Sequence, residues 1–308
     1  MHVEKLPRRK DHLVSQDTKI SFGGSAANFA LQSARLGVKS GLIGCVGDDL
    51  YGQKVMKNLS NLGVDTRAIL VLGNQPTGLF FLAQDPQGES VVFTEPGANR
   101  FIEKHIIEDE YLSKARTIHI AGGFPMITAR AADMATADGM IFSLDPGRAA
   151  DGIDYSNIIR RTDLLFMTQK ELKQYFKIET SEKALKTFAK TFPGILVIKM
   201  GEKGAIATDG FEFCSSQVFE VPVLDTLGAG DAFAAGFVTA WNRSERIEQA
   251  LNVANAVAAL TITKKGAQEG QPSLEKTASL LSKHGISIDP ILRTFRKGKR
   301  RKSKRRSG

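Results

Sequence analysis

Two carboxylates bracket a glycine-rich turn in the stretch Asp225-Thr-Leu-Gly-Ala-Gly-Asp231. Ahead of it lies Val221-Pro-Val-Leu, a short apolar run limited by Pro222, and behind it an amphipathic, Ala-rich run reaches Trp241. The pattern predicts a loop feeding the N-terminus of a buried helix. Such a terminus offers unpaired backbone N–H groups and the positive end of the helix dipole, which suits an anion. Gly228 and Gly230 carry no side chain, so a phosphoryl group can approach the backbone closely. Asp231 would then sit in the first helical turn, where a carboxylate can take the proton of an attacking hydroxyl. Taken alone, the stretch is also what an Asp cap after a Gly-rich turn looks like.

The elements that must position this chemistry are legible on either side. Gly23-Gly-Ser-Ala-Ala-Asn28 opens a run with small residues on one face, and Leu31, Ala34 and Leu36 continue a helical pattern that Gly37 stops. A strand is predicted over Val38 to Val46, then a loop Gly47-Asp-Asp-Leu-Tyr-Gly52, then a helix to about Leu62. Three β-rich runs, starting at Ala68, Thr77 and Ser90, predict an antiparallel flap, with Asp85-Pro-Gln-Gly88 as a turn between the last two. Between 100 and 200, apolar runs starting at Thr117, Met140, Asp163 and Gly194 alternate with helix-like segments. That rhythm predicts a parallel sheet covered on both faces, with ligands at the C-terminal strand ends. Asp145, Glu171 and Gly201 fall there. Helices over Ser244 to Thr263 and Ser273 to His284 complete the chain.

DTLGAGDAFAAGF closely resembles the C-terminal signature of the PfkB/ribokinase family of carbohydrate kinases, and GGSAANFALQSARLG with IGCVGDDLYG resembles its N-terminal signature region. Two signatures in the right order are far more specific than either alone. The resemblance covers roughly residues 1–285 and implies an α/β, ribokinase-like three-layer sandwich with a mostly parallel central sheet and a small β lid within about 68–98. It implies ATP as phosphate donor, magnesium, and a small sugar or nucleoside as acceptor. Asp231 matches the catalytic base, and Gly228, Ala229 and Gly230 match the anion hole. Gly24, Asn28, Gly47 and Asp48 match substrate-binding positions. Glu171 in Thr168-Gln-Lys-Glu matches a Glu that organises magnesium through water, although Thr168 replaces the usual Asn. Lys199, Gly201 and Gly204 fall in the strand-loop beside the nucleotide, with Lys199 where a Thr is frequent. Thr226, Asn255 and Gly266 are expected near the nucleotide, and Asp225 is matched to a monovalent cation site, potassium in some relatives. Ser25 stands where ribose-specific relatives often carry Lys, and THIAGGFP with SLDPG resembles archaeal nucleoside kinases of the family.

The resemblance has one gap. Family members open with an apolar strand ending in an Asp-containing motif that grips sugar hydroxyls, whereas HVEKLPRRK resembles the segment after it. The expectation is a misplaced start or a truncation, with a sheet edge exposed and a substrate carboxylate gone. The alternative reading is therefore a catalytically inactive relative that binds nucleotide or, through its tail, nucleic acid.

Bulk properties narrow the classes. A chain of 308 residues can bury a large core. No apolar run approaches a membrane span, and the first residues lack the apolar core of a signal peptide. Cys45 and Cys214 each stand alone, which fits a reducing cytoplasm. The five His lack metal-ligand spacing, and His119 reads as a strand residue. The net charge of +9 is a property of the tail: residues 293–308 hold ten Lys/Arg and no acid, and without them 32 basic residues face 33 acidic ones. Residues 286–308 are expected to be disordered, either as a solvated tail or as a weak contact for nucleic acid. A homodimer is a further expectation.

Overall fold

A computed structural model describes residues 1, 6, 12, 14–87, 90–104, 109–147, 154 and 156–287. The expected tail from 288 onward and most of the HVEKLPRRK segment lie outside the described residues.

The apolar runs of the middle of the chain become β7 (Thr117–Ala121), β8 (Ile141–Asp145), β9 (Leu164–Thr168) and β10 (Ile195–Lys199), hydrogen-bonded in parallel in that order. Two antiparallel strands, β11 (Ala205–Thr208) and β12 (Phe213–Ser216), extend the sheet beyond β10. These runs are continuously apolar because both faces are covered. Alternation by two sends Leu164, Phe166, Ile195 and Val197 into one hydrophobic cluster and Leu165, Met167, Leu196 and Ile198 into another. The first cluster is completed by α8 (Ala229–Ser244), α9 (Ile247–Thr261) and α10 (Leu274–Lys283), the second by α4 (Pro125–Asp138), α6 (Gln169–Phe176) and α7 (Glu182–Ala189). The chain is thus an α/β three-layer sandwich, as expected.

Local chemistry sets the helix ends. α1 (Ser25–Arg35) starts after Gly24, whose φ of 96° favours glycine, and ends in a Schellman motif. There Gly37 N–H donates to Ala34 O (2.9 Å) and Val38 N–H to Ser33 O (3.0 Å). α2 (Leu50–Asn61) is capped by Asp49, which accepts from Gly52 N–H at 2.8 Å and from the N–H and hydroxyl of buried Thr77, each at 2.7 Å. Gly236 lets α8 and α9 approach: a Cβ there would stand 3.0 Å from Ala254 Cα.

Two sequence expectations need correction. The strand predicted over 38–46 is two strands, β1 (Ser40–Gly41) and β2 (Gly44–Gly47), because the chain changes partner at Leu42: β1 pairs in parallel with β3 (Val64–Asp65), β2 with β4 (Ile69–Leu72). β4 is therefore no part of the flap. Only β5 (Leu79–Gln84) and β6 (Ser90–Glu95) form the antiparallel hairpin, with Phe81 opposite Phe93. An apolar run signals a strand but not its partner. Among the described residues no strand precedes α1, and neither the outer edge of β7 nor the second edge of β2 has a strand partner.

Candidate active site

Asp145, Thr168 and Lys199 end β8, β9 and β10 on the same side of the sheet, and the N-terminus of α8 arrives over that side. The arrival is fixed by Gly228, the helix cap, with φ 74°. A Cβ on Gly228 would lie 2.5 Å from Ala267 O, so both its backbone angle and its packing demand glycine. Gly230 differs: its φ is not positive, and a Cβ there would meet only Lys199, at 3.6 Å from Nζ. The space over Gly230 is open toward the site, next to the first N–H groups of the helix, which have no intrahelical acceptor.

Asp231 lies in the first turn of α8. Its Oδ2 accepts from Asn28 Nδ2–H at 2.8 Å, across 203 residues of sequence, and Ser25 adds a second hydrogen bond. Burial pushes the Asp231 carboxyl above its ordinary range, opposed by the Asn28 bond, the Lys199 charge and Ser25. Asn28 is itself fixed, because Gln268 Nε2–H donates to its Oδ1 at 3.0 Å and Gln271 Nε2–H to its carbonyl at 2.9 Å. Gln268 in turn accepts from Asn58 Nδ2–H at 3.2 Å. A polar chain thus runs from α2 through the segment after α9 to α1 and the carboxylate.

Lys199 is paired with Asp145, and their side chains are only 15% and 9% exposed. Burial raises the Asp145 carboxyl, and Lys199 opposes that shift. Burial alone would lower the Lys199 ammonium, but Asp145, then Glu171 and Asp231, hold it above its usual range. Glu171 is buried and closes a capping box with Thr168: its Oε2 accepts from Thr168 N–H at 2.8 Å while Thr168 Oγ1 accepts from Glu171 N–H at 3.2 Å. His119 lies in β7, stacked on Phe29 with ring centroids 3.7 Å apart and 2.8 Å from Ser143 Oγ. Burial, then the Lys199 charge, pushes its imidazole down to about 3, so it is neutral and docks α1 on the sheet.

The remaining expected residues have these places. Asp225 accepts from Leu227 N–H (3.0 Å) and Gly266 N–H (2.7 Å), tying the loop before α8 to the turn after α9. Thr226 O accepts from Ala229 N–H at 3.3 Å. Gly201 and Gly204, with φ 61° and 83°, make the turn from β10 to β11. Asn255 is buried and its amide donates to Ser216 O and Gln217 O, at 3.0 and 3.2 Å. Gly47 donates to Thr77 Oγ1 at 3.0 Å, and Asp48 is exposed beside a pocket of about 200 Å³ lined by Val46, Gln53, Met56 and Val71. The structure brings Asn28, Lys199, Glu171, Gly230 and Asp231 together, while no hydrogen bond or ion pair among the described residues joins Gly47 or Asp48 to them. Sequence reading noted Asp145 without assigning it a role, and passed over Gln268 and Gln271. The latter two fall just after the Gly266 turn, and only that proximity could have flagged them.

The turn, the helix terminus and a carboxylate held from α1 are the two resembled signatures folded into one place. Residues 2–274 match the pfkB family of carbohydrate kinases. The chain belongs to that family. It is 33% identical over 283 residues to an ATP-dependent ribose-1-phosphate kinase of Halopiger xanaduensis, covering 92% of this chain and 94% of that one. Its structure is similar to that of the Methanocaldococcus jannaschii nucleoside kinase, with a TM-score of 0.82 at 25% identity, covering 92% and 94% of the two chains. It is also similar to a ribokinase II from E. coli, described in complex with ATP and Mg2+, with a TM-score of 0.78 at 25% identity over 92% and 96%. The chain is accordingly an ATP-dependent kinase of the sugar and nucleoside class. No helix among the described residues is long and apolar enough to cross a membrane.

Proposed function

We propose that this kinase phosphorylates a hydroxyl of a ribose-containing acceptor, a free sugar, a sugar phosphate or a nucleoside, with Asp231 as general base. The observation that carries the reading is the Asn28–Asp231 hydrogen bond at 2.8 Å, which holds the base against the helix expected to bind the sugar. The names of the relatives support a ribose-containing acceptor.

The residues divide the work. The Asp231 carboxylate takes the hydroxyl proton; Asn28 and Ser25 orient it. The N–H groups at the start of α8, from Gly228 to Asp231, are the donors that would offset charge on the moving phosphoryl group, with Ala229 N–H exchanging Thr226 O for it. Among the described residues no group of three or more His, Cys, Asp and Glu could hold a metal by itself. That donor set fits magnesium carried mainly by nucleotide phosphates and water, with Glu171 as its protein neighbour. When bound, magnesium would offset negative charge on the nucleotide phosphates. Gly201, Gly204, Thr226, Asn255 and Gly266 frame the nucleotide side of the site, and Gly24, Gly47 and Asp48 the acceptor side. Potassium beside Asp225 is part of the proposal, tested by turnover in KCl against choline chloride. The inactive alternative is not favoured by the family match and the kinase names of the relatives, and the Asn28–Asp231 bond and the Gly228 turn support an active site.

The test incubates the protein with Mg-ATP and, separately, ribose, ribose-1-phosphate, adenosine, inosine and hexoses, with phosphorus NMR of the products. A new phosphate ester on a ribose-containing acceptor supports the proposal. Turnover restricted to hexoses would reject the substrate class.

A further inference from the structure

The carboxylate of Asp145 is paired with the Lys199 ammonium and those of Glu171 and Asp231 act on the same charge, so negative charge is in excess around it. An anion entering over Gly230 meets that excess of negative charge. What favours its entry is the α8 terminus and Lys199, whose Nζ stands 3.6 Å from where a Gly230 Cβ would be. Lys199 therefore overhangs the space that the missing side chain leaves open. Its ammonium has three N–H donors on a flexible four-carbon stem, and Asp145 holds it at the edge of that space.

We propose that Lys199 is a catalytic residue that recognises the terminal phosphoryl group of the nucleotide, exchanging Asp145 for the phosphoryl oxygens when nucleotide binds. The inference rests on the kinase reading and deepens it. In the step it serves, the acceptor hydroxyl oxygen forms a bond to the terminal phosphorus. The bond from that phosphorus to the bridging oxygen breaks, its electron pair leaves with the nucleoside diphosphate, and the hydroxyl proton passes to Asp231. Charge accumulates on oxygens beside Gly230, within reach of the Lys199 stem. Asp145 keeps the ammonium in place and neutralised when the site holds no nucleotide. The group at stake is the terminal phosphate and not the inner ones, because Lys199 sits beside the base.

The test measures binding of the β,γ-imido analogue of ATP and of ADP, both with magnesium, by calorimetry. The wild type is expected to prefer the analogue by roughly tenfold or more, the scale of a hydrogen bond to a charged group. Lys199→Met alone strands a buried carboxylate, so Lys199→Met is combined with Asp145→Asn. The double variant is expected to bind ADP within about threefold of wild type and to lose the preference. Lys199→Arg is expected to keep part of the preference. Asp145→Asn alone, which frees the ammonium, is expected to tighten the analogue and not ADP; it keeps the question open to refutation should the double variant fail to fold. A preference retained by the double variant, or an analogue weakened by Asp145→Asn, overturns the proposal. A wild type that binds neither nucleotide overturns the kinase reading and this proposal with it.

Discussion

Replacing Gly230 by Ala adds one methyl group to the N-terminal turn of α8. Its Cβ would meet nothing closer than Lys199 Nζ at 3.6 Å, an ordinary contact with the end of a flexible side chain. The backbone angle at Gly230 is open to any residue, and Ala favours helix over Gly by up to about 1 kcal/mol. Gly230→Ala is therefore expected to fold with stability equal to wild type or up to about 1 kcal/mol above it. The methyl group nevertheless occupies the approach of the phosphoryl group to the helix N–H groups. Removing one such donor from a developing anion costs about 10²–10³ in kcat, or about 2.7–4 kcal/mol. Gly228→Ala is the contrast. It places Cβ 2.5 Å from Ala267 O at φ 74°, combining about 1–2 kcal/mol of left-handed strain with an overpacking cost of about 1–3 kcal/mol. Urea denaturation paired with turnover reads both quantities on each variant. Gly230→Ala with turnover within threefold of wild type, or with a loss of more than about 1 kcal/mol in stability, would refute the assignment of that space to phosphate.

Asp49→Ala removes the cap of α2 and leaves buried Thr77 without its acceptor, so a loss of about 2–4 kcal/mol is expected in urea denaturation. At Asp49, burial acting to raise the carboxyl is outweighed by the bonds from Thr77 and Gly52, which hold it below its ordinary range. Its stabilisation is therefore present above the unfolded pKa of about 3.9 and lost as pH falls through the folded value, so the gap between wild type and Asp49→Asn should close in acid. Gly236→Val drives a branched side chain into Ala254 and Val257, and a loss near 3 kcal/mol with the site chemistry intact is expected by thermal unfolding. Asp231 is raised, so kcat/KM should rise with pH on a limb whose apparent pKa exceeds about 3.9; a limb at or below that value would contradict the burial of the base.

The sandwich was legible because its signals are local. Leu164 to Met167 and Ile195 to Ile198 are apolar without interruption, which marks strands covered on both faces. Gly37 and Ser273 mark helix ends through chemistry within three residues of themselves, and the place of Asp231 in the first turn of α8 was legible from the glycine turn before it. What stayed hidden was pairing at a distance. Nothing in Ile69–Leu72 says that it joins β2 and not the hairpin. Lys199 and Asp145 lie 54 residues apart on strands separated by β9, and Gln268 reaches Asn28 across 240 residues. Equally hidden is the fixing of Asn255, whose amide donates to the carbonyls of Ser216 and Gln217 at the end of β12, 39 and 38 residues away.

The central claim is that a carboxylate at the mouth of α8, held by Asn28, removes the acceptor proton. The most direct test is turnover of Asp231→Asn beside wild type, with Mg-ATP and the acceptor that wild type uses, and thermal unfolding of both proteins. Because ionising the raised Asp231 carboxyl costs stability as pH rises through its folded pKa, the variant is expected at neutral pH to unfold no earlier than wild type. Its turnover is expected to fall by at least about 10²–10⁴, the contribution of a positioned general base. A folded Asp231→Asn protein that turns over within tenfold of wild type would contradict the account.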